Sequence, residues 1–201
     1  MTLYDLKPRF QSLLRPLTLR LYARGTTANQ VTLAAMLGSI ALGLILTLGA
    51  AKWPGLWLLL PLFLLVRMAL NAIDGMLARE HQQQSSLGAV LNEVGDVVSD
   101  LALYAPFLIL PEAPVALICL ALWAMTMTEF CGVLALSIGA PRRYDGPLGK
   151  SDRALVFGAY ACALFLWPTL ANHVWLLFLA VLLLSLLTCY QRCRRALAAV
   201  Q

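Results

Sequence analysis

Asn71, Asp74, Asn92, Glu93, Asp96 and Asp100 put amide and carboxylate oxygens inside or at the edge of two otherwise apolar helices. Arg67, Asn71, Asp74 and Ala78 recur at intervals of three and four residues, which is one stripe of a helix. Asn92, Asp96 and Asp100 repeat every four residues, a second stripe, and the polar turn EHQQQSS lies between the two. Charged groups inside apolar helices are costly, and those retained face a water-filled cavity or each other. Carboxylate and amide oxygens on two facing helices suit a hard divalent cation, and such a cation holds phosphate.

At these residues the chain resembles the CDP-alcohol phosphotransferases (phosphatidyltransferases), whose signature runs D-x2-D-G-x2-A-R-x8-G-x3-D-x3-D. Here it reads Asn71, Asp74, Gly75, Ala78, Arg79, Gly88, Asn92 and Asp96, with every interval kept. The first and third aspartates of the pattern are Asn71 and Asn92. The resemblance implies a membrane enzyme that moves a phosphatidyl-type group from a CDP-linked lipid, such as CDP-diacylglycerol, to an alcohol acceptor with release of CMP. It implies one or two Mg²⁺ or Mn²⁺ ions and a homodimer. Carried over position by position, Asp74 is a metal ligand, Asn71 and Asn92 occupy ligand positions, and Asp96 is a ligand and the candidate general base. Asp74, Gly75, Ala78, Arg79 and Gly88 would face the nucleotide and its diphosphate, the small residues letting it approach the backbone.

The two asparagines change the electrostatics. An amide oxygen can ligate a cation but brings no charge, so two carboxylates give these four positions formally −2 where four aspartates would carry −4. Three outcomes follow: a single metal ion, recruitment of the neighbouring Glu93 or Asp100 as ligands, or a site that binds without turnover. The first reading is therefore the transferase. The second is a binding protein that keeps a CDP-lipid pocket, and the third is a small transporter, which explains buried acids but not the signature spacing.

The elements that must position these residues are helices in a membrane. With 61% hydrophobic and 12% charged residues among 201, the chain reads as an all-α integral membrane protein forming one membrane domain over 1–201. Six apolar runs, at about 27–50, 54–78, 87–110, 114–138, 154–170 and 172–190, predict a six-span bundle over 27–190, with residues 191–201 as a tail. Residues 1–24 pair an apolar stripe (Phe10, Leu13, Leu14, Leu17, Leu21) with Lys7, Arg9, Arg15, Arg20 and Arg24, the pattern of an amphipathic interfacial helix on anionic lipid. No uninterrupted apolar core of the kind found in a cleavable signal peptide precedes residue 27.

The net charge of +5 is not a nucleic-acid footprint, because the basic residues sit at span ends. Their asymmetry orients the bundle: Lys52 alone falls on one side, and the other side holds both termini and the signature. With the resemblance to bacterial members of the family, this implies a bacterial inner membrane with a cytoplasmic active site. The loop PRRYDGPLGKSDR supplies Arg142, Arg143, Lys150 and Arg153, which either bind the anion of an acceptor or donor or are ordinary cytoplasmic charge. Arg67 either contacts a substrate phosphate or neutralises Asp74 or Asp96. Glu129 either lines the same cavity or hydrogen-bonds within the bundle. His81 and His173 have no partner at metal-ligand spacing, and the five cysteines read as small core residues.

Overall fold

The computed structural model describes residues 3–200, with side chains from residue 10 onward. Its described residues form seven α-helices and four short 3₁₀ segments, with no strand among them: α1 (Leu3–Ala23), α2 (Ala28–Gly49), α3 (Leu59–Glu80), α4 (Ser86–Tyr104), α5 (Val115–Leu134), α6 (Lys150–Leu166) and α7 (Val174–Ala198). Four are long and apolar enough, with their flanking 3₁₀ turns, to cross a membrane: Ala28–Gly49, Pro54–Glu80, Val115–Ile138 and Pro168–Ala198. The other two predicted spans correspond to α4 and α6. The first carries Glu93, Asp96 and Asp100, and the second is only 17 residues long with Lys150, Asp152 and Arg153 in its first turn.

Helix ends follow local chemistry. Thr27 and Gln30 form a reciprocal cap at the start of α2: the Gln30 N–H donates to Thr27 Oγ1 at 3.3 Å, and the Thr27 N–H donates to Gln30 Oε1 at 2.9 Å. The Ser85 hydroxyl accepts the Gly88 N–H at 3.0 Å at the start of α4. The fifth predicted span, α6, starts earlier than the run 154–170 suggests, because the Asp152 carboxylate accepts the Gly149 N–H at 3.0 Å and pulls the basic end of the loop into the helix. It stops at Leu166, ahead of Pro168. The last helix continues to Ala198, so residues expected as a tail are its final turns.

The chain divides into two compact units. One comprises residues 1–41 and 63–100, the other residues 42–62 and 101–201. In the first, Ala28, Val31, Ile73, Met76 and Leu77 are buried together, with Leu14, Leu21, Leu70 and Ala78 packed against them. The α1 helix is continuous across Pro16 and is joined to the end of α3 by Arg15–Glu80 at 2.9 Å and by Tyr22 stacked on His81, centroids 4.0 Å apart. The second unit is built around aromatic rings: Phe107 lies 5.6 Å from Phe157 and 5.8 Å from Phe178, and Tyr104 stacks on Phe157 at 3.9 Å. All five cysteines are free thiols.

Candidate active site

All the signature residues fall in the first unit, on α3 and α4. Arg67 crosses between the two helices. Its Nη1 lies 2.5 Å from Asp100 Oδ1, and its Nη2 lies 3.2 Å from the Asp96 carbonyl oxygen and 3.6 Å from Asp96 Oδ1. The guanidinium and both carboxylates are largely withdrawn from solvent. The short turn at 81–85 makes α3 and α4 antiparallel, and each helix rises about 1.5 Å per residue. With Arg67 level with the turn from Asp96 to Asp100, this register would set Asn71 beside the turn from Asn92 to Asp96, and Asp74 beside Leu91 and Asn92.

A second crossing comes from α2. The Thr32 hydroxyl donates to Asp74 Oδ2 at 2.8 Å, while a Cβ added to Gly95 would lie 3.7 Å from Thr32 Cγ2. One threonine therefore bonds the acid of α3 and lies close to Gly95, which precedes Asp96 on α4. Gly88 permits a similar approach, since a Cβ there would stand 2.7 Å from Asn29 Oδ1 and 3.1 Å from Ser85 Oγ. The Ala28 N–H donates to Gln83 Oε1 at 2.7 Å, tying the α3–α4 turn to the start of α2. Asp74 is buried, Asn71, Asn92, Glu93 and Asp96 are half-buried, and Arg79 is exposed at the end of α3. The Arg79 guanidinium folds back over Gly75, where an added Cβ would meet it at 2.9 Å.

The donor set is oxygen alone: two aspartate carboxylates and two asparagine amides on adjacent helix faces. That chemistry fits a hard cation such as Mg²⁺ or Mn²⁺ and does not suit a thiophilic one. Among the described residues no group of three or more His, Cys, Asp or Glu side chains is gathered for a metal.

The basic residues of the loop belong to the second unit, where Arg142 and Arg153, together with Arg192 of α7, face Glu129. Arg142 Nη2 lies 3.4 Å from its Oε2, Arg153 Nη1 3.4 Å from Oε1, and Arg192 Nη1 3.5 Å from Oε2. Three cations thus face one carboxylate. Arg153 is not a loop residue: it stands in the first turn of α6, 1% exposed, bonded to the Leu148 carbonyl at 3.0 Å and to the Thr128 hydroxyl. Arg192 is held by the carbonyls of Thr128 and, at 3.1 Å, of Asp145. Arg142 lies over the Tyr144 ring at 4.2 Å. Arg143 and Arg195 both pair with Asp145, the former at 2.7 Å. Burial alone would raise the Asp145 carboxyl, but the hydrogen bonds and charges of Arg195 and Arg143 outweigh it and hold it below its ordinary value. Lys150 opens α6 and is half-buried.

Sequence reasoning passed over Thr32, Arg192, Arg195 and Asp145. A lone threonine in an apolar run carries no motif. Arg192 and Arg195 resemble any positive charge at the end of a span, and only their spacing of three, which places both on one helix face, sets them apart.

Residues 25–189 match the family model described as CDP-alcohol phosphatidyltransferase. The chain is 53% identical over 197 residues to the inner membrane protein YnbA of Escherichia coli (strain K12), a match covering 98% of this chain and 97% of that one. Among solved structures it is similar to Mycobacterium tuberculosis phosphatidylinositol phosphate synthase (PgsA1) in complex with manganese and citrate. That match has a TM-score of 0.74 at 22% identity and covers 92% of this chain and 88% of the other. The same enzyme with CDP-DAG bound superposes with a TM-score of 0.72 at 23% identity, covering 92% of each chain. At these identities the likeness to the solved structures is one of fold.

Proposed function

Because this chain belongs to the CDP-alcohol phosphatidyltransferase family, we propose that it transfers a phosphatidyl-type group from a CDP-linked lipid to an alcohol acceptor, releasing CMP, in phospholipid biosynthesis. The observation that carries this reading is the meeting of α2, α3 and α4 at Thr32, with Asp74 on one side and the turn before Asp96 on the other. CDP-diacylglycerol is the donor by analogy with the solved relative that has CDP-DAG bound.

Asn71, Asp74, Asn92 and Asp96 would hold Mg²⁺ or Mn²⁺, with Glu93 as a further oxygen donor; Asp100 instead serves Arg67. When bound, the ion neutralises phosphoryl oxygens and stabilises the charge that develops during transfer. The chain's own residues do the rest. Asp96 takes the proton of the acceptor hydroxyl as general base, which strengthens the oxygen as a nucleophile toward the lipid-side phosphorus. Gly75, Ala78 and Gly88 would be the small residues on the nucleotide side, with the Arg79 guanidinium lying over Gly75 and Asn29 and Ser85 against Gly88, and Arg79 stands at the end of α3 as a cation for the diphosphate. The loop residues Arg142, Arg143 and Lys150 would supply positive charge for an anion of the acceptor or donor, whereas Arg153 is buried within the second unit against Leu148, Thr128 and Glu129. We place the protein in the bacterial inner membrane as a six-span homodimer, with α1 lying on the cytoplasmic surface and the active site and both termini on that side.

The test is CMP release from purified protein in lipid given CDP-diacylglycerol, Mn²⁺ or Mg²⁺ and a small-metabolite extract as the source of acceptor. Metal-dependent CMP that a chelator abolishes is expected. Asn71 and Asn92 favour a second reading, a protein that binds the CDP-lipid without turnover; metal-dependent thermal stabilisation by the donor with no CMP would select it.

A further inference from the structure

We propose that Arg67 is a positioning residue for Asp96, anchored in turn by Asp100. The proposal rests on the transferase reading above, in which Asp96 is the base. The Arg67 guanidinium is planar and presents two edges at fixed geometry. One edge is taken by Asp100 at 2.5 Å, which fixes the rotation of the plane. The other edge then faces Asp96 twice, through the main-chain carbonyl at 3.2 Å and the carboxylate at 3.6 Å. Asp96 and Asp100 are one helical turn apart, so a single side chain from α3 grips the α4 turn that carries the base. Arg67 is 3% exposed, which removes the solvent screening that would weaken such a grip.

The arrangement also decides between the two roles that the sequence left open. Both aspartates are acceptors that a guanidinium satisfies as a phosphate would, and they already hold it. A contact between Arg67 and a substrate phosphate would have to break the 2.5 Å pair with Asp100 and leave that carboxylate buried without its cation, which is the costly outcome for a buried ion pair. Lysine could keep the charge at this position but not the fork. Its ammonium is a point charge and cannot hold Asp100 and Asp96 in one fixed relation.

The experiment compares Arg67→Lys and Asp100→Asn with wild type in CMP release from CDP-diacylglycerol with Mn²⁺, alongside thermal unfolding in the same lipid. Positioning predicts that Arg67→Lys folds, with kcat reduced about tenfold or more and the donor KM unchanged, as for groups that orient reacting residues elsewhere. Asp100→Asn should give the same split. A rise in donor or acceptor KM at constant kcat would make Arg67 a substrate ligand and overturn the proposal, and so would wild-type turnover in Arg67→Lys. If wild type releases no CMP, the transferase reading is what fails. Arg67 is then judged by a double-mutant cycle of Arg67→Lys with Asp96→Asn on thermal unfolding, where strict additivity overturns the grip and coupling between the two supports it.

Discussion

Thr32 and Arg67 each reach an acid from a different helix: Thr32 donates to the Asp74 carboxylate, and Arg67 donates to the Asp96 main-chain carbonyl with the Asp96 carboxylate 3.6 Å away as an ion pair. A hydrogen bond to a charged acceptor contributes about 1.5–3 kcal/mol. Replacing Thr32 by Val removes the donor while keeping the branched shape, so CMP release should fall about tenfold or more, since about 1.4 kcal/mol is a factor of ten. Turnover equal to wild type would show that the Thr32 bond does nothing for the reaction. Asn71 and Asn92 are the opposite case, residues that withhold charge. Asn71→Asp with Asn92→Asp takes the four signature positions from formally −2 to −4 and should tighten Mn²⁺ binding by at least about tenfold. Unchanged metal affinity in the double variant would remove these two positions from the ligand set. The signature was legible in sequence because its intervals are short and lie within two helices. The Thr32 contact joins residues 42 apart and the Arg192–Glu129 contact residues 63 apart, separations that no local period marks.

At the scale of elements, the hairpin of α3 and α4 was legible from its two polar stripes, while the loop after α5 was not. Its basic residues read as a surface run, but Arg153 is drawn into α6 and buried, and Arg143 and Arg195 are neutralised in part by Asp145. The pull comes from the cap that Asp152 provides, a single hydrogen bond that moves a helix start by a full turn. Asp145 gives this loop a pH signature. Its folded carboxyl lies below the ordinary 3.8, so its contribution to stability is complete above that value and disappears as pH falls through the depressed folded one. Asp145→Asn should therefore lower the thermal midpoint at neutral pH, with the gap to wild type closing as pH falls below 3.8. A gap that stays constant with pH would mean that the carboxylate charge contributes nothing there. Helix boundaries elsewhere moved for similar local reasons, at Pro106 and Pro168, where α-helical geometry gives way to 3₁₀ turns.

At the scale of the whole molecule, composition alone announced a membrane protein, and four helices meet the length and hydropathy needed to cross one. The remaining two predicted spans differ because of what they carry: α4 sacrifices apolar character to hold the acids, and α6 to hold Lys150, Asp152 and Arg153. Those are the helices on which the proposed chemistry depends, so the departures from a plain hydrophobic pattern fall where function is expected. In the function proposed, a CDP-lipid diphosphate is broken with Asp96 as the base. The most direct measurement is CMP release by wild type and Asp96→Asn in the same lipid, with CDP-diacylglycerol, Mn²⁺ and an acceptor-containing extract, and with donor binding measured on both proteins. Metal-dependent CMP is expected from wild type and none above background from Asp96→Asn, although the variant still binds donor. Equal CMP release from the two proteins would contradict that role of Asp96.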